Sequence, residues 1–301
     1  MDLMRDEASA QPVAFFPNLD AEHELEMGAA WMPPRALRDR LEAIARAMPL
    51  PRGMIRLGFG GEAPPLPPLT RVRFWCPTPR AIAKAKQLGL LIEPTPPIDV
   101  IRRVNERGFA HAIAGHELEP SFVVEHLEAL EEIVGQPSPT GFWRLKKGLG
   151  AAGRGQEIVP SGKALSPPMR SWASRALRFG RIYVEPNLEV EREFCVYGWV
   201  SRGGGVRLTG HRGQKADPRG RFLKAGRIEK EECLGFGRQM EEAAERVGVA
   251  LLEAGYEGPF GIDGYAYRKP NGILCLRSVS EINARYCMGW DEGDGFEPHA
   301  F

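Results

Sequence analysis

Three residues near the end of the chain have the types and spacing to hold a cation. Asp263 lies in "GPFGIDGYAYR", and Glu281 and Asn283 lie in "ILCLRSVSEINARY". Glu281 and Asn283 stand two apart, so on a strand they share a face. A turn at Lys269-Pro270-Asn271-Gly272 closes the two stretches into a hairpin, which lets Asp263 lie on the neighbouring strand of that face. Two carboxylates and an amide oxygen suit a hard cation such as Mg2+ that also holds phosphate oxygens. The same spacing fits the polar end of a hairpin with Ile282 as its one core residue.

A second group precedes a glycine-rich stretch, "WRLKKGLGAAGRG". Arg144 and Lys146 alternate along a strand and share a face. A lysine fixed by a sheet beneath a glycine loop is a phosphate clamp; a solvated basic face, with Lys147 and Arg154 beside it, has the same pattern. Residues 148–153 satisfy G-x-G-x-x-G, but the dinucleotide fold needs a helix to start on those glycines. The next residues, "RGQEIVP", read as a short strand stopped by proline, so the glycines form a flap between two strands. A third stretch, Val184-Glu185-Pro186 with Glu191 and Glu193, suits a hinge. Its backbone amides could read an adenine edge, and a nearby carboxylate could accept both ribose hydroxyls. Standing alone, it would be an exposed acidic linker. No P-loop and no kinase motif set is present.

The elements that must position these groups follow from periodicity. Residues 13–16 and 72–76 read as strands, each leading to a helix, over 34–47 and 80–88, with Thr78 a cap before Pro79 and Gly89 a stop. The proline-rich "GGEAPPLPPL" is a surface loop and "EPTPPID" a connector. A small open parallel sheet is expected for residues 1–100. Apolar positions at 124, 127, 130 and 133/134 predict a helix over 121–134. Two strands around the flap, a helix over "SPPMRSWASRALRFG" and the strand "RIYVEP" complete a compact unit over 101–185. Residues 186–301 add the strands "EFCVYGWV" and "GVRLTGHRG", a long helix within 230–255, and the terminal hairpin.

Composition narrows the function classes. The chain has 301 residues, 43% of them hydrophobic, with 40 basic and 39 acidic side chains and a net charge of +1. That balance argues against an electrostatic nucleic-acid binder. No apolar run approaches a membrane span. Five scattered cysteines without C-x-x-C spacing, and no signal peptide, suggest reduced thiols in a cytoplasmic protein. The six histidines form no zinc motif.

Over about residues 100 to 290 the chain resembles the ATP-grasp superfamily, in the order of "WRLKKGLGAAGRG", "VEPNLEVEREF", "GPFGIDGY" and "SEINARYCMG". The resemblance implies two α+β subdomains with ATP between them, preceded by a pre-ATP-grasp α/β domain that contributes substrate contacts. It puts Lys146 on the α- and β-phosphates, Gly153, Arg154 and Gly155 in the flap over them, Glu185 at the adenine and Glu193, with Glu191 competing, at the ribose. Asp263, Glu281 and Asn283 would bind Mg2+, and Arg285 would lie near the transferred phosphoryl group. Arg107 stands where the family has an earlier lysine, and Ala284 where its metal motif often has proline. The implied activity is an ATP-dependent carboxylate–amine ligase working through an acylphosphate on small molecules, with an amino acid or peptide as the substrate by analogy. A small-molecule phosphotransferase and a non-catalytic nucleotide binder are the alternatives, and a homodimer is compatible with the sequence.

Overall fold

The computed structural model describes residues 12–48, 50, 54–59, 64–115, 118–150, 155–216, 222–228, 233–269 and 271–288. The first elements are β1 (Val13–Phe16), α1 (Ala21–Met27), α2 (Arg35–Ala47), β2 (Met54–Arg56), β3 (Arg71–Phe74), α3 (Pro79–Gln87) and β4 (Leu91–Ile92). They build the expected small parallel sheet, in the order β2-β1-β3-β4. β1 and β3 are apolar enough to be buried, and Ala14, Phe16, Val72 and Phe74 pack on Ala81 and Ala85 of α3. Thr78 caps α3 by position only; its hydroxyl accepts from Asn18 Nδ2 at 3.1 Å, tying the ends of β1 and β3 together.

Next come α4 (Ile98–Asn105), α5 (Arg107–Ala114), β5 (Phe122–Val124), α6 (Leu127–Gly135), β6 (Phe142–Lys147), β7 (Gln156–Pro160), α7 (Pro167–Leu177) and β8 (Ile182–Pro186). The helix expected over 121–134 begins only at Leu127. Residues 122–124 pair antiparallel with β8 instead, and Val124 is buried as a strand residue. The sheet order is β5-β8-β6-β7, with α6 and α7 closing a core around Trp143, Leu145, Ile182 and Val184.

The third sheet, β11-β10-β9-β12-β13, is antiparallel. It comprises β9 (Val190–Val200), β10 (Val206–Ala216), β11 (Phe222–Arg227), β12 (Gly258–Arg268) and β13 (Leu274–Asn283), with α8 (Gly237–Glu253) on its back. Met240, Ala243, Ala244, Val247 and Leu251 form the apolar stripe of α8, packed on Phe194, Val196, Phe260 and Ile262. Helix α8 covers only part of 230–255, and residues 229–232 lie outside the described residues. Residues 104, 110 and 114 of α4 and α5 also join this core, so both helices pack behind the third sheet. Phe15, Ala21, Leu25, Trp75, Ile101 and Leu149 form a joint core that fastens the first unit to α4 and to the base of the glycine loop. No helix among the described residues is long and apolar enough to cross a membrane.

Candidate functional site

The front of the third sheet carries the carboxylates. Asp263 on β12 lies directly opposite Glu281 on β13 and Cys195 on β9. Past Asp263 the register shifts, because β13 carries extra residues there. Gly264 makes this close approach feasible: a Cβ on it would stand 2.8 Å from the carbonyl oxygens of Arg277 and Ser278. Ser280 Oγ donates to the Asp263 carbonyl at 3.0 Å and holds the bulge. Burial, and after it the charge of Glu281, push the Asp263 carboxyl up to about 7.

Asn283 bridges two neighbours. Its Nδ2 donates to Asp263 Oδ2 at 2.9 Å, and its Oδ1 accepts from Arg285 Nη2 at 2.9 Å. The amide oxygen must therefore leave Arg285 before it can join a cation. Among the described residues no three His, Cys, Asp or Glu side chains gather at one point. The donor set here is two facing carboxylates, one of them pushed up to about 7 by burial and by the charge of the other. That chemistry fits a divalent cation completed by phosphate oxygens.

A pH dependence arises from this pair. The Asp263 pKa is raised from 3.8 to about 7, so its charge weakens the fold progressively as pH rises through that interval. Asp263→Asn is expected to flatten the fall in melting temperature between about pH 4 and 7. Melting curves with an unchanged pH slope would place the titration elsewhere.

From the other side, β6 and β8 of the second sheet present basic residues. Lys146 Nζ and Glu185 form a buried ion pair. Burial, the largest single effect, pushes Glu185 up, but the Lys146 ammonium together with the charges of Arg277 and Arg107 holds the carboxyl below its ordinary value. Arg144 donates to Gln156 Oε1 at 2.9 Å and Asn187 Oδ1 at 2.7 Å. Arg107, at the start of α5, donates from Nε to the Lys147 carbonyl at 2.9 Å and from Nη2 to Glu281 Oε1 at 3.2 Å. One arginine thus links the base of the glycine loop to the carboxylate pair. The short connection at 187–189 joins the two sheets, in place of a longer acidic linker. Glu191 is exposed on β9 and engaged by Arg268 at 2.7 Å, whereas Glu193 is partly buried and feels the charge of Arg144. Burial raises the Glu193 carboxyl, with Arg144 opposing. Gly155 adopts φ 75° and its carbonyl accepts from Lys147 N at 2.8 Å. Gly153 and Arg154 lie outside the described residues.

Two acidic residues of the first unit reach this site and carried no signal in the sequence. Glu22 on α1 pairs with the Arg285 guanidinium, and Glu26 pairs with Lys147. Arg285 also donates to the Tyr286 carbonyl at 2.9 Å and stacks 5.1 Å from the centre of the Trp75 ring. Glu22 and Arg285 are 263 residues apart, and only tertiary packing brings them together. Glu106 is a further unforeseen support: it caps α5 through Gly108 N at 2.8 Å and accepts from the Tyr183 hydroxyl at 2.6 Å.

No protein-family model matches the sequence, and no curated protein matches it. Solved structures do resemble the fold. A biotin carboxylase β,γ-ATP complex from Campylobacter jejuni superposes with TM-score 0.55 at 16% identity, covering 93% of this chain and 61% of that one. Carboxyaminoimidazole ribonucleotide synthase from Aspergillus clavatus complexed with ATP gives TM-score 0.51 at 13% identity, covering 92% and 71%. N5-carboxyaminoimidazole ribonucleotide synthetase from Thermus thermophilus gives 0.50 at 16%, covering 91% and 71%. The chain has the ATP-grasp fold, with a small parallel α/β unit ahead of it. It spans less than two thirds of the biotin carboxylase chain.

Proposed function

We propose that the protein is an ATP- and Mg2+-dependent ligase that joins a carboxylate to an amine through an acylphosphate. The observation that carries this reading is the Arg107–Glu281 contact of 3.2 Å. It marks one cleft in which the cations of the second sheet's edge meet the carboxylate pair of the third. A phosphate chain needs that combination, with positive side chains on its oxygens and a carboxylate-held cation beside them. The likeness to folds solved with ATP supports the same reading.

In this reaction Lys146 leaves Glu185 to meet the phosphates, and Glu193 takes the ribose hydroxyls. Asp263 and Glu281 would hold the Mg2+, with Asn283 joining once its oxygen turns from Arg285; the ion supplies charge neutralisation on the phosphate oxygens. Arg285, pinned by Glu22 and Trp75, would stabilise charge developing on the transferred group. The substrate carboxylate attacks the γ-phosphorus, ADP leaves, and the amine then displaces phosphate from the acyl carbon. The flap expected over residues 148–155, of which 151–154 lie outside the described residues, would exclude water that would hydrolyse the acylphosphate. An amino acid or small peptide is the substrate class this reading favours. Five free cysteines suit the reduced setting of the cytoplasm.

Phosphate release from ATP, assayed against a panel of carboxylates and amines, tests the proposal. Release that needs both partners is the expected result. Transfer to a hydroxyl without free phosphate would make the protein a phosphotransferase, and nucleotide binding with no turnover would make it a binder.

A further inference from the structure

A cavity of about 400 Å³ lies where the first unit meets the end of the third sheet. That is within the range of small-molecule pockets, about 300–1,000 Å³. Its walls are β3 with Trp75, the connector at 93–96, the ends of β9 and β12, and Tyr286. Trp199 and Pro259 line it and stand opposite one another on the face that carries Asp263, four residues away along β12. Between the carboxylate pair and the cavity, Cys195, Tyr197 and Cys287 form a packed cluster, so the cavity lies apart from the cleft. Arg285 borders both.

The polar groups of the cavity leave donors to spare. Ser201 is 8% exposed, and its buried hydroxyl has no hydrogen-bond partner among the described residues. Such a hydroxyl is unfavourable until a ligand supplies the partner. The Arg73 guanidinium lies 5.8 Å from the centre of the Trp199 ring and meets Glu93 Oε2 through Nη1 at 3.0 Å. A guanidinium has five N–H donors, so most of this fork is left over. Glu93 also meets Arg71, and Glu257 accepts from two donors of Arg202 at 2.5 and 2.9 Å. Beyond its partner Glu257, Arg202 feels the charge of Glu93, which places the Arg73 pair close to the residue after Ser201. Three arginines thus face two engaged glutamates, while Arg285 is matched by Glu22. The surplus of one positive charge selects a monoanion.

We propose that this cavity is a second ligand site of the chain and takes a small aromatic carboxylate. Arg73 and Ser201 bind the carboxylate, and the ring of the ligand lies against Trp199 and Tyr286. The planar guanidinium fork matches the two oxygens of a carboxylate, and the serine hydroxyl gains the acceptor it lacks. Trp199 and Tyr286 are only partly buried and meet edge to face, with ring centres 6.2 Å apart. Walls of that kind favour a flat ring, which can stack or present its edge, over a puckered one. Burial raises the Tyr286 hydroxyl and Arg73 opposes it, so the cation and this wall belong to one pocket. The site stands independently of the nucleotide reading, because none of its groups is drawn from β6, β8 or the carboxylate pair.

Calorimetric titration of the full chain with 3-phenylpropanoate, its neutral amide and 3-cyclohexylpropanoate tests this. The wild type is expected to bind the amide about tenfold or more weakly than the acid, the loss of a charge-assisted contact, and to prefer the flat ring to the puckered one. Arg73→Met should bind acid and amide alike, and Ser201→Ala should weaken the acid several-fold. Saturating ATP with Mg2+ should leave the acid bound. No binding of the acid at millimolar concentration, or equal wild-type affinity for acid and amide, would overturn the assignment without any variant. A methionine variant that still favours the acid would overturn the role of Arg73. Displacement of the acid by ATP would put it in the cleft and overturn the separate site.

Discussion

Glu281→Gln is expected to abolish turnover while leaving the chain folded. Glu281 stands at the meeting point of the cleft, opposite Asp263 and 3.2 Å from Arg107. The amide keeps the shape but removes the charge that Arg107 uses and that the proposed magnesium ion would use. Loss of one preorganised electrostatic element of a phosphoryl-transfer site typically lowers kcat by about 10²–10³-fold. The same substitution removes the second cause of the raised Asp263 pKa, so that carboxyl should titrate lower while burial keeps it above its ordinary value. Nucleotide binding should lose much of its Mg2+ dependence. Normal turnover at low Mg2+ would return the terminal hairpin to a merely polar end.

Lys146→Ala has two separable effects. Removing a charged phosphate contact should weaken ATP by about 1.5–3 kcal/mol, roughly tenfold to over a hundredfold in Kd. From the strand pattern alone the fold would be untouched. The structure corrects that expectation, because Lys146 is the partner of buried Glu185. Leaving one charge of such a pair uncompensated costs about 3–5 kcal/mol. The stranded Glu185 would have a raised pKa, so this penalty is present at neutral pH and fades as pH falls and the carboxyl protonates. Lys146→Ala with Glu185→Gln should recover the stability but not the ATP affinity. Urea denaturation with calorimetric titration of both variants checks this. Unchanged ATP affinity in the single variant would remove Lys146 from the site, and unchanged stability would mean that Glu185 finds another partner.

The local order of chemistry was readable from the chain because each piece is short-range. The 2-residue period put Glu281 and Asn283 on one face, and the turn at 269–272 brought Asp263 beside them. The glycine and proline in "RGQEIVP" led to the expectation of a strand on either side of residues 148–153, and β6 and β7 do pair. The apolar stripe of α8 was equally local.

Segments whose state depends on distant partners were not readable. Val124 continues the period of α6, so residues 122–124 look helical until β8 supplies the hydrogen bonds that make them a strand. Lys146 and Arg144 alternate identically in a solvated strand and in a cleft; burial beside Glu185 separates the two cases. Glu191 and Glu193 share one face in the sequence, and it took the engagement of Glu191 by Arg268 to divide them. Glu22 pins Arg285 only because the joint core around Ile101 and Leu149 seats α1 against the cleft. The sequence by itself determined which residue types recur at strand and helix spacing, because backbone geometry repeats over a few residues. The tertiary structure alone decided which charges are paired, buried or stranded, because those energies depend on groups brought close by the packing of three separate sheets.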